Sequence, residues 1–221
     1  MSKKQVIVIF IGPPGSGKGT QAKLLADKFN YTDLSSGKLF REEVQKKTKI
    51  GKQIKPFMDK GFLVSDEITT EMMIKKISRL RKPIILDGFP RNLNQSKILD
   101  EYLQKHKNKY KIVIVEVKLT EKQVSQRILG RLECACGRIF HEQLNLPSNK
   151  GICDICGSKL QTRSDAKVSV VKTRMQIYKY ETAPILKFYK KEKYYRFYQV
   201  EGDKKVNEVF KQLEKIIKRS K

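Results

Sequence analysis

Acidic residues are scarce in this chain: 23 Asp and Glu stand against 48 Lys and Arg, a formal net charge of +25 at pH 7. Such an imbalance favours anionic partners, whether nucleotides, nucleic acid or a membrane surface, and says nothing about fold. The plain alternative is a lysine-rich chain whose charges sit on solvated faces. Long apolar runs are also missing. The first stretch of note, Val6 to Ile11, is far shorter than the ~20 residues of a membrane span. A glycine-rich turn follows it where a secretory signal would place its cleavage site, so a cytosolic location is expected. Cysteine is limited to Cys134-x-Cys136 and Cys153-x-x-Cys156. Two such close pairs read as metal ligands in a reducing compartment and exclude a disulfide frame. Internal repeats are absent, and so is low-complexity sequence beyond scattered lysines and the tail Lys218 to Lys221. The chain has 221 residues, of which 39% are hydrophobic. That is enough for one domain, with or without insertions, to bury a core unaided by disulfides or metal.

The apolar pattern is that of an α/β protein. Gln5 to Ile11 is a β-branched run without alternation, as in a parallel strand covered on both faces. From Lys18 the apolar positions Ala22, Leu25, Ala26 and Phe29 recur at helical spacing. Further strands are predicted at Pro83 to Leu86, Tyr110 to Val117 and Arg196 to Val200, with a closing helix around Val206 to Ile217. Two stretches interrupt the alternation as insertions: Ser35 to about Val64, helical with a break at Gly61, and Glu133 to Leu160, which carries the cysteines.

Between the first strand and the first helix lies Gly12-Pro-Pro-Gly-Ser-Gly17-Lys18-Gly19-Thr20. It fits the phosphate-loop pattern G-x-x-x-x-G-K with a threonine one residue later, in the context that pattern requires. Glycines let the backbone aim its N–H groups at phosphate oxygens, the helix N-terminus adds partial positive charge, and Lys18 supplies a mobile full charge. Asp87, at a strand end, could face a phosphate-bound Mg²⁺. Arg91, four residues on, could clamp a phosphate by two hydrogen bonds.

With those motifs in place, the chain resembles the adenylate kinases of the nucleoside monophosphate kinase family, in the form with a long lid. The resemblance rests on GPPGSGKGTQ (Gly12 to Gln21), SSGKLFR (Ser35 to Arg41), MDKGFLVSDE (Met58 to Glu67), LDGFPRNLNQ (Leu86 to Gln95), QRILGR (Gln126 to Arg131), TRSD (Thr162 to Asp165) and Tyr180-Glu-Thr-Ala-Pro184. It implies a phosphate-loop parallel sheet flanked by helices as a core domain (residues 1–34, 65–129 and 167–221). A helical monophosphate-binding insertion (35–64) and a zinc-bearing lid (130–166) would complete it. The implied reaction is ATP + AMP giving two ADP, with Mg²⁺ accompanying ATP. The resemblance puts Gly15, Ser16, Gly17, Lys18, Gly19 and Thr20 around the donor phosphates, and Arg131, Ile139, Phe140 and Lys204 at the donor base. Ser36, Arg41, Phe62, Leu63, Val64, Gly88, Phe89, Pro90, Arg91 and Gln95 would hold AMP. Lys18, Asp87, Arg91, Arg127, Arg163 and Arg174 would surround the moving phosphoryl, Arg163 and Arg174 also touching AMP. Without the resemblance, Ser36 reads as a helix cap and Gln95 as part of a polar helix face.

Three positions depart from the family pattern: Lys38 replaces an aspartate, Leu132 a second arginine, and Ala166 an acid. They alter charges between lid and insertion rather than phosphate ligands. Cys134, Cys136, Cys153 and Cys156 suit one tetrahedral Zn²⁺, although the first pair is a residue short of C-x-x-C, so its turn must differ; His141 is an alternative ligand. The expected partners are nucleotides, with a monomeric chain and no nucleic acid or membrane. GTP:AMP or another monophosphate kinase activity remains an alternative, and a basic nucleic-acid-binding ATPase a remoter one.

Overall fold

The computed structural model describes residues 4–162 and 168–220. Five parallel strands, β1 (Gln5–Ile11), β2 (Thr32–Ser35), β3 (Ile84–Asp87), β4 (Tyr110–Lys118) and β8 (Arg196–Glu201), form one sheet in the order β2-β3-β1-β4-β8. The unbroken apolar run of β1 follows from its central place. Ile7, Ile9 and Ile11 pack on one face with Met73 and Ile77 of α4 (Asp66–Arg79), Leu99 and Leu103 of α5 (Leu93–Lys105), and Tyr189 of α8 (Ile185–Lys191). Val6, Val8 and Phe10 pack on the other face with Leu25 of α1 (Lys18–Phe29) and Leu213 of α9 (Val206–Ser220). Both faces are dry, so neither admits the polar alternation of a half-exposed strand.

The insertion between β2 and α4 is two helices, α2 (Ser36–Gln45) and α3 (Lys49–Lys60). They share a small core of Phe40, Ile54 and Val64. Thr48 caps α3 by accepting from Gly51 N at 2.9 Å, and Gly61 ends it at φ 79°. After α6 (Glu121–Leu129) comes the second insertion. Its strands β5 (Arg131–Glu133), β6 (Ile139–His141) and β7 (Gln161–Thr162) form an antiparallel sheet in the order β6-β5-β7. The chain returns through α7 (Val168–Ile177), a π-helical turn (Tyr178–Thr182) and α8.

The predicted strands and closing helix all form, within a residue or a few of their expected ends. Edge strand β2, the lid strands and the π turn were not anticipated. Thr32-Asp33-Leu34-Ser35 has one apolar residue and, among the described residues, pairs with β3 alone, and two- or three-residue lid strands are too short to leave a periodic signal.

Candidate active site

The donor end grows out of the β1–α1 connection. Gly15 and Gly17 take φ of 75° and 91°, turning the loop tightly enough for α1 to begin at Lys18. Lys18 Nζ donates to Gly12 O at 2.8 Å, to Pro13 O at 2.7 Å and to Ser16 Oγ at 3.2 Å. The ammonium is thus held within the loop's own carbonyls, poised for a stronger acceptor. Burial pushes its pKa down to about 8; Asp87 opposes this, while the positive charges of Arg91 and Arg131 add to it. Asp87 arrives from β3, whose register sets it beside Phe10 of β1.

The acceptor end is built around Gly88. Its φ is +78°, and a side chain there would lie 2.9 Å from Arg91 Nη2 and 3.0 Å from Ser36 Oγ, so only glycine allows the approach. Ser36 Oγ donates to Gly88 O at 2.7 Å and Arg91 Nε donates to the same oxygen at 2.9 Å. Ser36 is therefore no cap; the N-cap of α2 is Ser35. Gln95 is 1% exposed, which removes the polar-face reading. Its Oε1 accepts from Arg91 N and its Nε2 donates to Asp66 Oδ1, both at 2.8 Å. Asn92 and Asn94 also donate to Asp66 at 2.8 Å. Burial raises that carboxyl's pKa, but the three amide donors outweigh it and hold it below its ordinary value.

Both ends open into one cleft of about 1320 Å³. Gly15 to Thr20, Ser36, Arg41, Phe62, Leu63, Val64, Asp87, Gly88, Pro90, Arg91, Gln95, Arg127, Arg131, Ile139, Phe140, Arg174 and Lys204 all line it. Arg127 Nη1 donates to Gly202 O at 2.6 Å, tying α6 to the β8–α9 connection. Arg131 pairs with Glu133 at 2.7 Å. The side chain of Phe89 is set apart from those of the other expected residues. It does not line the cleft; fully buried, it packs in the sheet core with Leu86 and Leu99. Arg163 lies outside the described residues, as does Ala166. The sequence pattern gave no role to Gln21, Tyr178, Thr182, Asp203 and Val206, which also line the cleft. Only Gln21, Thr182 and their motifs carried a signal; the others reach the cleft through chain geometry.

Two departures acquire partners. Lys38 pairs with Asp33, whose carboxyl pKa burial raises against that pairing. Leu132 packs beneath Cys134, Phe140 and Cys153 as part of the lid's small apolar cluster.

The four cysteine sulfurs lie within 4.8 Å of one another. Cys134 and Cys156 are 3.3 Å apart and Cys136 and Cys153 3.7 Å apart, none of them in a disulfide. Ligands of a tetrahedral zinc with ~2.3 Å bonds stand ~3.8 Å apart, so the donor set fits a closed Zn²⁺ site. The short first pair reaches the cluster through the β5–β6 hairpin turn, where Gly137 N donates to Cys134 O at 2.9 Å with Gly137 at φ 86°. His141 is not a ligand. Its Nε2 donates to Gln126 O at 3.0 Å and its Nδ1 accepts from Gln143 N at 3.0 Å and Leu144 N at 3.2 Å, which engages both ring nitrogens.

The family model for adenylate kinase matches residues 10–194. An adenylate kinase of Archaeoglobus fulgidus is 39% identical over 217 residues, covering 97% of this chain and 99% of that protein. One of Clostridium tetani is 35% identical over 213 residues, covering 95% and 97%. With a phosphate loop, a two-helix insertion and a cysteine-bearing lid meeting at one cleft, and similarity running nearly end to end, the chain belongs to the adenylate kinase family.

Proposed function

We propose that the cleft transfers the terminal phosphoryl group of ATP to AMP, reversibly, giving two ADP. The observation that carries this reading is the convergence of Lys18, Arg91, Arg127 and Arg174 on one cleft from four separate stretches of chain. Phosphoryl transfer asks little covalent chemistry of a protein; rate comes from aligning donor with acceptor and neutralising charge as the group moves. Lys18 follows the transferred group as a point charge, while forked, always-charged arginines hold its oxygens bidentately. The loop from Gly15 to Thr20 holds the donor phosphates. Arg131, Ile139, Phe140 and Lys204 take the donor base. Ser36, Arg41, the 62–64 segment, Gly88, Pro90, Arg91 and Gln95 take AMP, and Arg163 joins the phosphoryl clamp.

The family uses Mg²⁺ with ATP; Asp87 and Thr20 would hold it, and when bound it offsets charge on the phosphate oxygens. The lid Zn²⁺ is structural, since four thiolates leave no open position for catalysis. Residues 35–64 and 130–166 act as two flaps on the remaining core, and their closure excludes water from the reaction. Among the described residues no helix is long and apolar enough to cross a membrane. The reading includes a cytosolic monomer without nucleic-acid or membrane partners, with the paired thiols suited to a reducing compartment.

A coupled assay of the purified chain against each mono- and triphosphate tests it. ADP should form from ATP only when AMP is present, and GTP, UMP or CMP should substitute poorly. Absence of AMP-dependent ADP formation overturns the reading.

A further inference from the structure

The motif Tyr180-Glu-Thr-Ala-Pro184 has no part in the roles assigned above. In the fold, Tyr178–Thr182 form the π turn, closed by Ala183 N donating to Tyr178 O at 2.7 Å. Such turns are rare and concentrate at functional sites, because the extra residue resets the register of the next helical segment. Here the turn joins α7, which carries Arg174, to α8. Thr182 is 8% exposed and lines the cleft. Its hydroxyl donates to the backbone carbonyl of Arg91 at 2.6 Å, across 91 residues of chain. Arg91 is also held through its N–H by Gln95 Oε1 and through its Nε by Gly88 O. The carbonyl is thus a third anchor, and the only one of these three that runs to the segment bearing Arg174.

We infer that Thr182 is a positioning residue for phosphoryl transfer, tying the Arg91 loop to the helix of Arg174 so that the two guanidinium groups keep a fixed spacing. This rests on the proposed role of Arg91 at the phosphates. A misplacement of about 1 Å can cost on the order of a hundredfold in rate, and a single backbone anchor is worth a smaller part of that.

The test compares Thr182→Val and Thr182→Ala, which lack the hydroxyl, with Thr182→Ser, which keeps it, each also in an Arg91→Ala background. Thr182→Val should lower kcat about tenfold with KM for ATP within about twofold, and Thr182→Ser should stay within about twofold of the parent. In the Arg91→Ala background the Thr182→Val change should cost almost nothing further, since both act through one group. If the valine chain does not fold, the alanine and serine pair carries the same comparison. Unchanged kcat in the hydroxyl-free variants, a serine variant as slow as they are, or losses that multiply with Arg91→Ala would each overturn the inference. Wild-type activity in Arg91→Ala alone would instead sink the phosphate role of Arg91.

Discussion

The central sheet and the lid are stabilised by different means. Strand β1 has seven residues, with Ile7, Val8 and Ile9 at 0% exposure and apolar clusters above and below. Each such side chain contributes ~1.5–3 kcal/mol by leaving water. The lid strands have three, three and two residues, and their shared apolar cluster is Leu132, Cys134, Phe140, Cys153 and Leu160. A unit of under ~40 residues rarely buries enough surface to fold alone. The lid draws on four thiolates that one metal ion can join. A core made by burial needs no ligand to form, whereas a cysteine cluster of this kind can supply through a metal ion the stability that so small an apolar cluster lacks.

Removing zinc should break this contrast most severely. Structural zinc binding supplies ~10–16 kcal/mol of apparent folding energy in small zinc peptides. Elemental analysis should find one zinc per chain. Chelation should expose the backbone amides of 131–162 to hydrogen exchange and lower Tm, while β1, β3 and β4 stay protected. A chain purified without chelator and free of zinc would refute the metal knot.

The converse experiment disables the core's chemistry without unfolding it. Lys18→Met should cost about a hundredfold or more in turnover, ~3 kcal/mol of transition-state stabilisation. Because burial disfavours the Lys18 charge, Tm should not fall. Parental turnover in the folded variant would contradict the loop's role.

A smaller effect comes from titrating the same lysine. Its pKa is lowered from 10.5 to about 8. Below about 8 both folded and unfolded chains carry the proton, and the fold bears the full cost of the buried charge. Between about 8 and 10.5 the unfolded chain holds the proton and the ligand-free folded chain does not, so this group's contribution to stability rises with pH. ATP affinity should move the opposite way, falling about tenfold from pH 7 to pH 9 as the ammonium is lost. Direct ATP titration checks this, and a slope that survives in Lys18→Met would assign the titration elsewhere.

The smallest change concerns the joint between the two regions. Arg138, beside the first cysteine pair, reaches Asp27 of α1 at 2.7 Å, and Asp27 also pairs with Lys23 at 2.8 Å. Partly exposed ion pairs of this kind contribute ~0.2–1 kcal/mol. Arg138→Ala should therefore raise KM for ATP less than about fivefold, and added salt should erase the difference from the parent. A larger, salt-insensitive loss would make this contact a principal closure element.

The features legible in advance obeyed local rules. The β1 run, the glycine spacing before Lys18 and the helical periodicity after it each state their structure within a few residues. The cysteine pairs announced a metal site without saying how the short pair turns, because that depends on the β5–β6 hairpin it caps. His141 was open as a ligand until the Gln126 carbonyl and the Gln143 and Leu144 amides took its ring nitrogens. Phe89 sits between two cleft residues, and the side of the sheet it joins depends on packing against Leu86 and Leu99.

The sequence by itself determined the order of the four longer core strands and of the first and last helices, the phosphate loop, the two insertions and the chemical character of the cleft. Each depends on backbone preferences or burial patterns spanning a few residues. Tertiary structure alone decided which of those residues meet. Ser36 against Gly88, Gln95 between Arg91 and Asp66, and Thr182 against Arg91 are hydrogen bonds between distant or separately folded segments, and their geometry exists only once the sheet has fixed where each segment ends.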